Sequence, residues 1–159
     1  MEAKGEAFAR QLEAKAEEAT TLLEGLTDAD WKKTTAAETW TVAVTAHHIA
    51  SSYASATRII KTITSGQALP RFTPEMLDEM NARHAREFAG CTKAETIALH
   101  REGAAAAAAA VRGLSDAELA ETGTVFTGMP PVSAEHLIKR ILLAHMDAHF
   151  GSIRKTIGG

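Results

Sequence analysis

The stretch 138–153, IKRILLAHMDAHFGSI, constrains the chain more than any other. Its apolar residues recur at helical intervals, so it reads as a helix with one buried stripe that includes Ile138, Ile141 and Leu142. His145 and His149 fall on that stripe, where Leu or Ile would be ordinary. Four residues apart, the two rings project from nearly the same face, one above the other. A buried polar group without a partner costs about 1–3 kcal/mol, so the pair demands partners, and one metal ion would satisfy both.

A third imidazole is available in HHIA, where His48 shares a helix face with Val44 and Ser52 while His47 points about 100° away. His48 is therefore expected as the third ligand in preference to His47. A topological consequence follows. His48 lies near the start of its helix, and His145 and His149 lie in the later half of theirs. Side chains meet only at a common level, so the second and fourth long helices must run antiparallel, whereas simple up-and-down hairpins would make them parallel. One long crossover is required, and residues 65–91 are the only connection long enough.

The rest of the chain supplies helices and their boundaries. Phe8, Leu12, Ala16, Ala19, Leu22 and Leu23 recur at three- and four-residue intervals, predicting a helix over 4–26. Thr27 or Asp28 caps a short helical turn anchored by Trp31. Thr41 caps the second long helix, which runs to about Ile63. Ser65-Gly66 and LPRFTP interrupt the pattern, and Thr73 before Pro74 restarts a short helix to about Phe88, expected to cross the end of the bundle. Thr92 with Glu95 forms a capping box for the third long helix, to about Arg112. Its alanine run, 104–110, lets a neighbouring helix approach closely. Ser115 and Glu118 box a further turn, GTVFTGMPP is a loop, and Ser133 caps the last helix, to about Thr156. Strand signals are almost absent. The expected fold is all-α, a four-helix bundle with a long crossover containing a short helix, as a single domain over 1–159.

Charge and composition narrow the function classes. The net charge of −3 is spread along the chain and supplies no basic footprint for nucleic acid. No run of about 18 apolar residues occurs and the N-terminal segment is charged, so neither a membrane span nor secretion is expected. The lone Cys91 cannot form an intramolecular disulfide, which suits a reducing compartment and predicts a cytoplasmic protein. At a predicted helix start its pKa could fall, although an inert thiol is the plainer expectation.

Among the seven histidines, His100 and His136 are expected to be solvated or capping, and His84 to lie on the surface of the short helix. Asp147 faces away from the pair as a solvated acid. Met146 stands where HExxH has its glutamate, so the zinc-protease pattern is absent, and no obvious catalytic carboxylate accompanies the expected metal. Three imidazoles from two helices leave coordination positions open to water or substrate, the arrangement of a reactive site. Zinc, nickel and iron all accept imidazole.

Leu26-Thr27-Asp28-Ala29-Asp30-Trp31, Trp40-Thr41-Val42 followed by His48-Ile49-Ala50, Asn81-Ala82-Arg83, Leu114-Ser115-Asp116-Ala117-Glu118-Leu119 and His145-Met146-Asp147-Ala148-His149 occur in that order over nearly the whole chain. Together they resemble the DinB-like (YfiT-like) family of metal-binding four-helix bundles. The resemblance implies an up-down-down-up bundle, a homodimer, and a divalent metal, commonly nickel or zinc, held by His48, His145 and His149. It also implies relatives that are transferases and isomerases dependent on mycothiol, bacillithiol or glutathione. The leading expectation is a metal-dependent enzyme of thiol S-transferase type, with a low-molecular-weight thiol as cosubstrate and a small electrophile as substrate. A metal-dependent hydrolase and a non-catalytic stress-response bundle, its metal structural or absent, are the alternatives. The pocket is expected between residues 65–91 and the loop 123–131.

Overall fold

Side chains just ahead of each helix decide where it begins. The computed structural model describes residues 2–158. In it Thr41, Thr73, Thr92, Ser115 and Ser133 each accept a hydrogen bond from a first-turn backbone N–H, as the sequence predicts. Thr27, not Asp28, caps the first short turn and forms a reciprocal box with Asp30. Ser115 and Glu118 also form both halves of their box, whereas at Thr92 only the bond from the Glu95 N–H is made among the described residues.

These boundaries define α1 (Lys4–Glu24), α2 (Asp28–Lys32), α3 (Val42–Thr64), α4 (Pro74–Glu87), α5 (Lys93–Arg112) and α6 (Asp116–Ala120). The last rod comprises α7 (Ala134–Leu137), a π-helical segment (Ile138–Ala144) and α8 (His145–Gly158). The loop expected between α6 and this rod is pinned by a two-residue antiparallel ladder, β1 (Thr122–Gly123) against β2 (Val132–Ser133).

Cross-helix pairs fix the directions. The start of α1 meets the end of α5, where Arg112 donates to Glu6 at 2.7 Å, and the end of α1 meets Arg101 through Glu24. Those two helices are antiparallel. Ala43 accepts from Cys91 at 3.5 Å and Tyr53 meets His100 at 3.2 Å, so α3 and α5 are parallel. Lys4 pairs with Glu135 and Lys15 with Asp147, so the last rod runs with α1. The bundle is therefore up-down-down-up, and α3 and α8 are antiparallel as the histidine argument requires. Leu12, Leu23, Ile49, Tyr53, Ile63, Leu142 and Ile153 fill the common core, each at most 1% exposed. Along the α3–α5 contact a β-carbon at Gly103 would come within 3.0 Å of the Tyr53 ring, so glycine permits the close approach anticipated for the alanine-rich helix.

Three expectations need correction. The crossover helix does not cross the end of the bundle. Because α3 and α5 are parallel, the chain must return along a whole helix length. At the far end Phe72 accepts from Thr127 and stacks on Phe126, while at the near end His84 contacts His47, so α4 travels back beside α3. Secondly, the last helix is not uniformly α. The wider turns of the π segment change its phase just ahead of His145. Met146, Phe150 and Ile153 then continue the core stripe at 3% exposure or less, and His145 and His149 stand on its flank, half-buried. Thirdly, His100 is not solvated but fully buried. It donates from Nε2 to the Ala16 carbonyl at 3.0 Å, which leaves Nδ1 to accept from the Tyr53 hydroxyl.

Candidate metal centre

Two helices aim three imidazoles at one point. His48, in the second turn of α3, and His145 and His149, in the first two turns of α8, each offer a ring nitrogen within 4.8 Å of the others. Nε2 of His48 and Nε2 of His145 lie 3.0 Å apart. The ring centroids are 4.5 to 5.0 Å apart in all three pairings. Burial pushes the pKa of His48 down to about 3, helped by the neighbouring His145, His149 and His84. Burial and then His149 push His145 down to about 4. At neutral pH these two rings are therefore uncharged and keep a lone pair each, the form in which imidazole ligates a metal.

The loop between α2 and α3 closes one side. Trp40 lies 5.2 Å from the His48 ring and stacks on His149 at 6.5 Å. Glu38 accepts a 2.6 Å hydrogen bond from His149 Nδ1 on one carboxylate oxygen and another of 2.6 Å from the Ser152 hydroxyl on the other. Burial alone would raise the pKa of Glu38, but the bonds from Ser152, His149 and Thr35 outweigh it and hold the carboxyl below its usual range.

The crossover closes another side. His84 is not a free surface residue: its Nε2 lies 2.8 Å from Nδ1 of His47 and its ring is edge-on to His48 at 5.8 Å. Phe88 stacks on His47 at 4.0 Å. His47 thus points away from the cluster, as expected, and packs against the crossover at 7% exposure. His84 Nδ1 is buried without a protein partner among the described residues. His136 is exposed, and Asp147 is exposed and paired with Lys15, both as expected. Burial raises the Cys91 thiol pKa, which removes the option of an activated thiol.

Sequence reasoning missed two things here. Glu38 sits in a loop with no periodicity and no motif, so nothing in AAETW marked it out. The loop 123–131 does not face the histidines, because Gly123 packs on Ile63 at the opposite end of α3. Two grooves of about 720 and 700 Å³ flank α5, and the second reaches Ser51, whose hydroxyl is 3.5 Å from His84.

A model of the DinB superfamily matches residues 11–153. No curated protein matches the chain. Among solved structures, a mycothiol-dependent maleylpyruvate isomerase superposes with a TM-score of 0.73 at 15% identity, covering 96% of this chain. The chain spans 63% of that isomerase. YfiT from Bacillus subtilis, described as "a probable metal-dependent hydrolase with an unusual four-helix bundle topology", superposes at 0.75 with 17% identity, covering 99% of this chain and 91% of YfiT. A histidine-to-alanine mutant of the isomerase superposes at 0.69 with 16% identity, over 99% of this chain and 69% of its own. At such identities the likeness is one of fold.

Proposed function

The chain belongs to the DinB superfamily, and we propose that it holds a divalent metal through His48, His145 and His149 for chemistry on a small molecule, with transfer of a low-molecular-weight thiol to an electrophile as the leading reaction. The carrying observation is the convergence of three imidazole nitrogens within 4.8 Å, two of them 3.0 Å apart. Nitrogens this close, with burial keeping His48 and His145 neutral, suit a zinc, nickel or iron ion. When bound, the metal supplies a Lewis acid that makes a thiol or a water more acidic at neutral pH.

The chain's own groups have separate tasks. Trp40 covers His48 and His149 and excludes water from that side. His84 and Phe88 bound the side facing the crossover, where an incoming molecule would meet them. Among the described residues no carboxylate is left free beside the three rings to act as a general base, since both oxygens of Glu38 are engaged. That favours thiol transfer over hydrolysis, because a thiol is far more acidic than water and gives up its proton to a metal without a general base. Mycothiol, bacillithiol and glutathione are the candidate thiols.

Elemental analysis should find about one equivalent of zinc, nickel or iron. Metal-loaded protein should then consume a chlorinated aromatic electrophile only when a thiol is supplied, and His149→Ala should abolish turnover. Undiminished turnover in His149→Ala would remove the site from the reaction, and turnover without thiol would select the hydrolase. All three ligands come from one chain, so activity should persist whether sizing in solution finds the expected homodimer or a monomer.

A further inference from the structure

The loop that delivers Glu38 holds an unusual backbone. Thr39 has φ of 62°, a left-handed conformation that is a genuine outlier for a β-branched residue. Such a conformation is strained and persists where its surroundings over-determine it. Here they do. Thr35 N–H donates to the Trp40 carbonyl at 2.8 Å, Thr39 N–H to Thr35 at 3.0 Å and Val42 N–H to Lys33 at 2.8 Å, and Thr34 bridges to Thr41. The turn places Glu38, its side chain 8% exposed, under His149 and leads directly into Trp40 above the same ring.

We propose that Glu38 is a positioning residue: backed by Ser152 and held by the strained Thr39 turn, it fixes His149 in one tautomer and aims its Nε2 at His48 and His145. A neutral imidazole carries one N–H. Donated from Nδ1 to the carboxylate, that proton leaves Nε2 as the lone pair, and the ring cannot rotate without breaking a 2.6 Å bond. Ser152, one turn beyond His149 in α8, occupies the other oxygen and stops the carboxylate from swinging away. Of the three rings in the cluster, His149 alone has a carboxylate partner among the described residues. The purpose assigned to this tie rests on the metal reading above; the tie itself does not.

The experiment separates the two. In metal-free protein labelled with ¹⁵N-histidine, long-range proton–nitrogen spectra at pH 7.5 should show His149 with Nδ1 protonated and Nε2 bare. Glu38→Ala should convert it to a mixture of tautomers, and Glu38→Gln, whose amide oxygen can still accept from Nδ1, should largely restore the original form. An unchanged tautomer in Glu38→Ala overturns the proposal. In parallel, zinc and nickel competition titrations should show affinity about 10–100-fold weaker in Glu38→Ala, less in Glu38→Gln and Ser152→Ala. Equal affinities across folded variants also overturn it. If the parent protein binds neither metal, the metal reading fails and the tautomer alone decides the role of Glu38. Should Glu38→Ala not fold, Glu38→Leu, which removes the acceptor but keeps the volume, takes its place in both comparisons.

Discussion

His100, fully buried, and the half-buried His48–His145–His149 cluster are imidazoles on long helices of one bundle, yet they answer burial in opposite ways. His100 is saturated: one nitrogen donates to the Ala16 carbonyl and the other accepts from the Tyr53 hydroxyl, with Phe150 edge-on to the ring. Nothing remains for a ligand. In the cluster Nε2 of His48 and Nε2 of His145 face each other at 3.0 Å, and among the described residues only Nδ1 of His149 is tied to a carboxylate. Burial alone therefore does not identify a site. What separates a core histidine from a ligand is whether its hydrogen-bonding capacity is used up by groups that belong to the fold.

The largest effect should break the comparison on the side of the cluster. Removing one of three ligands in His145→Ala should weaken zinc or nickel binding by on the order of 10³-fold, about 4 kcal/mol. His100→Leu should leave it within about twofold, because that ring lies across Phe150 from α8 and offers no free nitrogen. Competition with a chromogenic chelator measures both. A comparable loss in His100→Leu would mean that the core histidine holds the site together.

Stability should show the reverse order. His100→Leu keeps apolar volume but strands the Tyr53 hydroxyl, whose partner among the described residues is His100, while the Ala16 carbonyl still accepts from the Thr20 hydroxyl. Leaving such a group unpaired costs about 1–3 kcal/mol. Metal-free His145→Ala should lose less, since among the described residues the side-chain hydrogen bond it gives up is to another half-buried imidazole, His48. Urea midpoints of the two metal-free variants decide the order.

The same contrast explains what could be read beforehand. Helix boundaries were legible because Thr and Ser caps act locally, and the antiparallel relation of α3 and α8 followed from one requirement, that His48 meet His145 and His149. The direction of α4 was not legible, because it depends on α3 and α5 being parallel, which no local signal states. The π segment escaped notice because its composition, IKRILLA, is that of an ordinary amphipathic helix. His100 was misplaced because the charged neighbours Arg101 and Glu102 suggest a surface, while its partners come from α1 and α3, 84 and 47 residues away in sequence. Glu38 was overlooked for a similar reason, since its contact with His149 joins residues 111 apart and begins in a turn held by Thr39.

The smallest expected effect concerns acid. Burial lowers the pKa of His100, outweighing the opposing bond to Ala16, and Arg101 lowers it further. Tyr53 and Phe150, packed against the ring from α3 and α8, supply no negative charge to restore it. The unfolded chain protonates the same ring near pH 6.5, so below that pH the unfolded state binds the extra proton and the folded state resists it. His100 therefore leaves stability intact above pH 6.5 and draws it down as the pH falls toward its lowered folded value, at most about 1.4 kcal/mol per pH unit. His48 and His145 add to the same acid limb in metal-free protein, since both are lowered as well. The difference between the parent and His100→Leu isolates one proton. Urea midpoints from pH 8 to 5 should converge as the pH drops, because the parent loses stability faster than the variant. Parallel curves would show that His100 is protonated in the folded core with the Tyr53 contact rearranged, and the division between a saturated core histidine and an open cluster would then rest on metal affinity alone.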